Sequence, residues 1–197
     1  MQEIVRKTSI QDCVEISNFH IKYISTGFLS SLGLSFLKLM YKSMIISQSA
    51  FCLVAEENNK IIGFISGATS VGGFYKEFLK NNFLRASIIL LPKVFNPVTI
   101  KKIIETLFYP AKKERGLPNA ELLSIIVERN YQGKGISRKL FDSLIKEFKN
   151  RGIDQFKVVV GLNLKQACRF YEKMGGFLHS EIEVHKGEKS RIYVWNI

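Results

Sequence analysis

Gln132-Gly133-Lys134-Gly135-Ile136-Ser137 is the stretch whose residue types and spacing could do chemistry. Two glycines one residue apart stand where a backbone must turn sharply or come close to a ligand. The flanks narrow the choice of ligand. Leu122 to Val127 is a short apolar run rich in β-branched residues, long enough for a buried strand and too short for a helix. Glu128-Arg129-Asn130 breaks that run. Beyond the glycines, Leu140, Phe141, Leu144, Ile145 and Phe148 recur at the three- and four-residue spacing of an amphipathic helix. The loop and Ser137 therefore open a helix, where free N–H groups and the positive end of the macrodipole suit a phosphate. No G-x-x-x-x-G-K-[ST] loop occurs, and Arg138 stands where a dinucleotide fingerprint needs its third glycine. On the loop alone, a plain surface turn between strand and helix is the competing reading.

The loop resembles the acetyl-CoA pyrophosphate loop of the GNAT superfamily of N-acyltransferases, Q/R-x-x-G-x-G/A after a strand ending in valine. Ser137 departs from the last position, a small residue that keeps its backbone N–H. A second resemblance lies downstream, where Asn163, Ala167, Tyr171, Glu172, Lys173 and Phe177 follow the family's N-x-x-x-A-x-x-x-Y-E-K-x-G-F pattern, with one extra glycine before Phe177. Both patterns occur in the family's order, and the resemblance covers nearly the whole chain. Residues 70 to 119 fit only as an insertion.

The resemblance implies a fold and a site. The fold would be α/β (α+β): a mixed, mostly antiparallel sheet of six to seven strands, flanked by helices, with a splayed central parallel pair. The backbone of Ile125, Ile126 and Val127 would bond the pantetheine amides in the gap. Gln132, Gly133, Lys134, Gly135, Ile136 and Ser137 would hold the pyrophosphate, with charge added by Lys134 and Arg138. Those two cations read equally well as solvated helix-start residues. Tyr171 would be the acid for the leaving thiolate, against the alternative of a core aromatic. Glu121, six residues before Val127, would be the catalytic base, against an ordinary charge at a strand's start. Asn163 would bond the pantetheine arm or cap its helix. His20 and Tyr23 would lie in a loop lining the acceptor pocket, while His179 and His185 lie near the last hairpin. Cys168 reads as packing.

Composition bounds the rest. A chain of 197 residues with 46% hydrophobic residues suits one domain spanning 1–197, with a helical insertion at about 70–119. The net charge of +12 attracts polyanions: nucleic acid, a membrane surface or a nucleotide-bearing ligand. Three widely spaced cysteines, Cys13, Cys52 and Cys168, argue for a reduced, cytoplasmic protein without a disulfide frame or a zinc site. No signal-peptide core is visible, and Ile88 to Leu91, stopped by Pro92, is too short to span a bilayer.

Read in order, the chain predicts a strand at Ile4 to Arg6 and a helix started by Ser9 and Asp12 that turns Val14, Ile16 and Phe19 inward. A looser stretch follows from His20 to Ser31, then a helix over Leu32 to Ile46. Phe51–Ala55 and Ile61–Ile65 form a hairpin. Two helices are expected between the third and fourth strands, the second from Asn96-Pro97 through Phe108. Phe156–Val160 is a strand, and Ile182, Val184, Ile192 and Val194 belong to a closing hairpin.

The reading reached is an N-acetyltransferase that moves acetyl from acetyl-CoA, its co-substrate, to a primary amine of a small molecule, without metal. The apolar, aromatic insertion suggests a cover for a bulky acceptor such as an amino sugar or sugar nucleotide. The rivals are a protein or peptide N-terminal acetyltransferase, a basic nucleic-acid-binding module and an acyl-CoA sensor. Scattered lysines and arginines, with no aromatic–basic RNA signature, speak against nucleic acid. The sequence leaves room for a homodimer.

Overall fold

Among the described residues, seven strands form one sheet, in the order β1-β2-β3-β4-β5-β7-β6. They are β1 (Ile4–Lys7), β2 (Ala50–Glu57), β3 (Lys60–Ala68), β4 (Ala120–Val127), β5 (Gln155–Gly161), β6 (Phe177–His185) and β7 (Glu188–Asn196). All neighbours are antiparallel except β4 and β5, which run parallel. Helices α1 (Cys13–Tyr23), α2 (Phe28–Ser31), α3 (Leu34–Ile46) and α4 (Val71–Leu90) come before β4, and α5 (Ile136–Asn150) and α6 (Lys165–Lys173) enclose β5 in sequence. The computed structural model describes residues 4–25, 27–93, 116–185 and 188–197. The helix expected from Asn96 to Phe108 and the side chain of His185 lie outside the described residues.

The sheet is covered on both faces, which is why β2 and β3 read as near-continuous apolar runs. On one face α5 buries Ile136, Leu140, Phe141, Leu144 and Phe148 against Phe51, Leu53, Ile65 and Phe156. On the other, α1, α3 and α4 enclose Cys52, Val54, Phe64 and Ile126. Burying each such side chain is worth roughly 1.5–3 kcal/mol, so the two layers fix β4 between them. The β2–β3 turn is tighter than the five-residue linker the sequence suggests. Asn58 and Asn59 both take positive φ, 52° and 61°, the signature of a two-residue type I′ hairpin. Asparagine tolerates that region better than most residues.

The N-terminal elements differ from expectation. Asp12 accepts the Ser9 amide at 2.7 Å and is gripped by Arg6, so it does start the first helical turn. The residues turned inward are Ile16, Ser17 and His20, while Val14 is exposed. α1 runs on through Tyr23, so His20 is helical and not in a loop. Its buried imidazole finds a partner in Tyr41, and a satisfied polar group no longer favours a break in the helix.

The extra glycine before Phe177 has a packing cause. Gly175 ends α6 in the left-handed region, φ 84°, the ordinary role of a helix-terminal glycine. At Gly176 a Cβ would stand 2.5 Å from the Trp195 ring and 3.0 Å from the Tyr171 carbonyl. Trp195 cannot move aside, because it stacks on Phe156 at 5.0 Å and donates Nε1–H to the Met174 carbonyl at 3.0 Å. Gly176→Ala should therefore destabilise the protein by about 1–3 kcal/mol, as overpacking does. At roughly 2–4 °C per kcal/mol for a chain of this size, the thermal midpoint should fall several degrees. An unchanged midpoint in a melt would contradict the crowding.

Candidate active site

β4 and β5 are paired only at their starts: Ala120 with Phe156, Glu121 with Lys157 and Leu122 with Val158. β4 continues to Val127 with β3 still alongside, so Leu123 to Val127 have no ladder to β5. Glu128 donates its N–H to the Ile62 carbonyl at 2.8 Å. By antiparallel alternation, Ile126 and Ser124 then exchange bonds with β3, while Ile125 and Val127 turn N–H and C=O toward the gap. Of the three residues expected to line the gap with backbone, Ile126 therefore directs its amide elsewhere and offers only its side chain to the core. The Val127 carbonyl is already held by Gln132 Nε2–H at 3.0 Å. An internal edge of this kind accepts an extended, amide-bearing chain as an added strand.

A bulge sets which side chains face which way. The β3–β4 register slips between Ser66 and Gly67, leaving Leu123 as the extra residue. Ile125 consequently packs with the α5 layer, and Leu123 and Ile126 with the α1–α3–α4 layer. Strict period two would have kept Leu123 and Ile125 on one face.

At the end of the gap stand the glycines. Gly133 and Gly135 have φ of 77° and 85°, and a Cβ on either would meet open space. Neighbouring side chains therefore do not exclude a larger residue; the backbone conformation and room for a ligand do. Gly135 is the N-cap of α5, and as a glycine it has no side chain with which to cap that terminus. The first-turn N–H groups at Ile136, Ser137 and Arg138 are thus placed to bind an anion. Lys134 lies over the Tyr131 ring at 5.1 Å, and Tyr131 in turn donates to Glu57. Arg138 is exposed, with Asp142 3.9 Å away one turn on.

The remaining expected residues do not all converge. Glu121 is buried in the closed part of β4, 3.4 Å from Lys157, whose ammonium also donates to the Pro118 carbonyl. It is about 20 Å from Val127 at the rise of a strand. Its charge also raises the Tyr75 phenol on α4, after burial, so it faces the α4 layer. Tyr171 is buried on α6 within the same cluster that Ile125 joins, its ring against Phe170, Tyr193 and Trp195. Burial pushes its phenol well above the ordinary value, with Cys168 adding to the effect. Asn163 does not cap α6: the N-cap is Leu164, without a side-chain bond. The Asn163 amide oxygen folds back over Gly161, where a Cβ would be 2.7 Å away. Cys168 is buried, as packing requires.

His20 does not face a pocket. It is 2% exposed, with Nδ1 2.7 Å from the Tyr41 hydroxyl. Burial lowers its imidazole to about 4. In the unfolded chain the ring titrates near 6.5, so on acidification the unfolded state takes the proton first. Stability is therefore full above about pH 6.5 and falls as the pH approaches 4, by up to about 3 kcal/mol. Urea unfolding across that window should show the loss, and His20→Gln should flatten it. An equal slope in the variant would assign the loss to other groups. His179 is exposed on β6, beside Ser180.

Tyr23 does line a cavity. A cleft of about 330 Å³ opens between the end of α1 and the loop after β4, walled by Lys22, Tyr23, Glu128, Arg129 and Asn130. Sequence reasoning treats Glu128 to Asn130 only as the end of a strand; their one available signal is their place between β4 and the glycines. A larger cavity, about 620 Å³, is lined by Lys7, Thr69, Glu147 and Arg151. It adjoins the C-terminus of α5, about 20 Å from the glycines by helix rise, and has no open strand edge.

Comparison with known proteins agrees with this geometry. Residues 25–177 match the acetyltransferase (GNAT) family. No curated protein sequence matches the chain. Among solved structures, the chain is similar to the PaiA N-acetyltransferase of Thermoplasma acidophilum in complex with coenzyme A. The two share 17% identity over the full length of both chains, with a TM-score of 0.64. YncA of Salmonella typhimurium, with its cofactor acetyl-CoA, shares 14% identity over 98% of this chain and 93% of its own, at 0.62. An N-acetyltransferase of Staphylococcus aureus shares 13% over 100% and 99%, at 0.64. At such identities the structures speak for the fold, and the sequence match speaks for the family. With the family match spanning most of the chain and the fold in agreement, this protein belongs to the GNAT acetyltransferase family.

Proposed function

We propose that the protein transfers the acetyl group of acetyl-CoA to a primary amine of a small molecule, directly, within one ternary complex. The open edge of β4 leading to the uncapped N-terminus of α5 carries this reading. It offers two things in line: unpaired strand backbone for the pantetheine amides, and helix-start N–H groups for the pyrophosphate. Coenzyme A and acetyl-CoA in PaiA and YncA support the same ligand here. Ile125 and Val127 bond the arm, Gly133 to Ser137 hold the phosphates, and Lys134 and Arg138 add charge. Asn163, at the end of β5, lies beside the arm. We read residues 1–197 as one domain with 70–119 inserted, in a cytoplasmic setting.

The chemistry asks for two proton movements. A lysine-type ammonium holds its proton with a pKa of roughly 10.4 and must lose it before attack on the thioester carbon. Glu121, on the face of β4 turned to α4, takes that proton through water. The oxyanion bonds to strand N–H in the gap. The C–S bond then breaks, the Tyr171 hydroxyl gives its proton to the departing thiolate, and the second proton of the attacking nitrogen restores the phenol. A phenol held above its ordinary value is protonated at neutral pH before and after that relay.

The cleft beside Tyr23 supports a small acceptor. Its volume lies at the low end for small-molecule sites. Glu128 is already paired with Lys60, so Lys22 and Arg129 are the groups that suit an anionic part of the molecule, as in an amino-sugar nucleotide, with its amine directed along β4 toward Glu121. Free-thiol release from acetyl-CoA should be screened with amino sugars, sugar nucleotides and peptides. Turnover of peptide N-termini alone would overturn the acceptor and leave acetyl transfer standing. Glu121→Gln should lower kcat roughly a hundredfold with acetyl-CoA affinity unchanged. A change in stability alone would make Glu121 merely the partner of Lys157.

A further inference from the structure

Acetyl transfer makes no use of the outer face of α4. The helix leaves the end of β3, where Glu77 accepts bonds from Ser47 and Ser49, and finishes where Lys93 Nζ donates to the Ser31 carbonyl at 2.6 Å. It thus runs antiparallel to α3 and carries its second half to the end of the sheet where β4 finishes and the cleft opens. Val71, Phe74, Phe78 and Ala86 face the core. On the opposite side Phe83 is 63% exposed, Leu84 73%, Ile88 67% and Leu91 60%. Leu84, Ile88 and Leu91, the last one residue past the end of α4, follow at spacings of four and three and form a stripe, and Phe83 widens it beside Leu84. Single exposed apolar residues are ordinary, but four clustered on one side call for a cover. Around the stripe Lys76, Lys80 and Arg85 are exposed, while Glu77, the acidic residue of this helix, is turned to the two serines.

We propose that α4 docks on an anionic lipid bilayer, with the four apolar side chains among the acyl chains and Lys76, Lys80 and Arg85 at the headgroups. Charge selects this occupant. A second copy would bring another +12 chain against the same three cations. Nucleic acid would satisfy the cations and leave the apolar stripe in water. A bilayer surface offers an apolar layer and anions together, the combination that interfacial helices use. The helix lies on the surface, since no helix among the described residues is long and apolar enough to cross a membrane. The docking is independent of the acetyl-transfer reading.

Sedimentation of the full chain with phosphatidylcholine vesicles, with and without phosphatidylglycerol, tests it. Binding is expected to the mixed vesicles, reduced by salt and weak without the anionic lipid. Phe83→Ser with Leu84→Ser and Ile88→Ser should lower the partition at least about tenfold, given roughly 1.5–3 kcal/mol per buried side chain. Lys76→Glu with Lys80→Glu and Arg85→Glu should lower it by a similar factor, and removes the salt dependence. All six positions are exposed, and an unchanged circular dichroism spectrum checks folding. A wild-type chain that stays in the supernatant at low salt overturns the proposal. So does a serine variant that binds like wild type, or a solution dimer that the serine variant loses.

Discussion

Replacing Gly135 with glutamate should abolish acetyl-CoA binding and leave the fold standing. Gly135 has φ 85°, so any side chain there costs about 1–2 kcal/mol. Its Cβ would enter space empty of protein, so nothing needs to repack. What the substitution adds is a carboxylate at the helix terminus where the phosphates are proposed to bind. It satisfies the dipole itself and repels the ligand. Together these should exceed roughly 3 kcal/mol, more than a hundredfold in affinity. Gly152→Glu is the matching control: φ 71°, open space around the Cβ, and a position at the far end of α5. Both variants should stay folded, Gly152→Glu losing about 1 kcal/mol more in urea because its carboxylate meets the negative end of α5, and only Gly135→Glu should lose the ligand. Equal binding by the two would sink the loop assignment.

Tyr171→Phe should lower kcat by about a hundredfold, the usual scale for a positioned proton donor, with acetyl-CoA affinity almost untouched. The ring remains against Phe170, Tyr193 and Trp195, so stability should change by less than about 1 kcal/mol. The pH profile adds a second readout. Burial holds the phenol above its ordinary value, so Tyr171 contributes no loss of activity on the alkaline side below about pH 10. If turnover in the phenylalanine variant matches wild type, the tyrosine is a core aromatic and the thiolate leaves without it.

Much of this architecture is written locally. The strand before the glycines, the turn at Gly133 and Gly135, and the stripe from Leu140 to Phe148 each depend on residues a few positions apart. Sequence alone is enough to place them. The mixed sheet with a single parallel pair also agrees with what the family resemblance implies. The misplacements concern partners distant in sequence. His20 belongs to α1 because Tyr41, on another helix, satisfies its imidazole. Val14 faces outward because the helix meets the core along Ile16, Ser17 and His20.

The site shows the same division. The bulge at Leu123 depends on how β3 pairs with β4, and no periodicity within β4 announces it. Ile126 loses its expected backbone role to that register. Gln132, expected at a phosphate, also holds the Val127 carbonyl through its side-chain amide. Asn163 has the residue type of a cap, yet α6 begins one residue later than a cap there would require. Glu128 and Arg129 join Lys22 and Tyr23 at a cleft only because α1 ends beside the loop after β4. Residue type and spacing disclose chemistry where the ligand meets backbone, and fall short where side chains from separate elements must meet.

The most direct test of the central reading is calorimetric titration of the protein with acetyl-CoA, beside coenzyme A and ATP. The open edge of β4 and the uncapped start of α5 predict binding of acetyl-CoA with a Kd on the order of micromolar, about −8 kcal/mol, and no binding of ATP. Absence of heat with acetyl-CoA would contradict it.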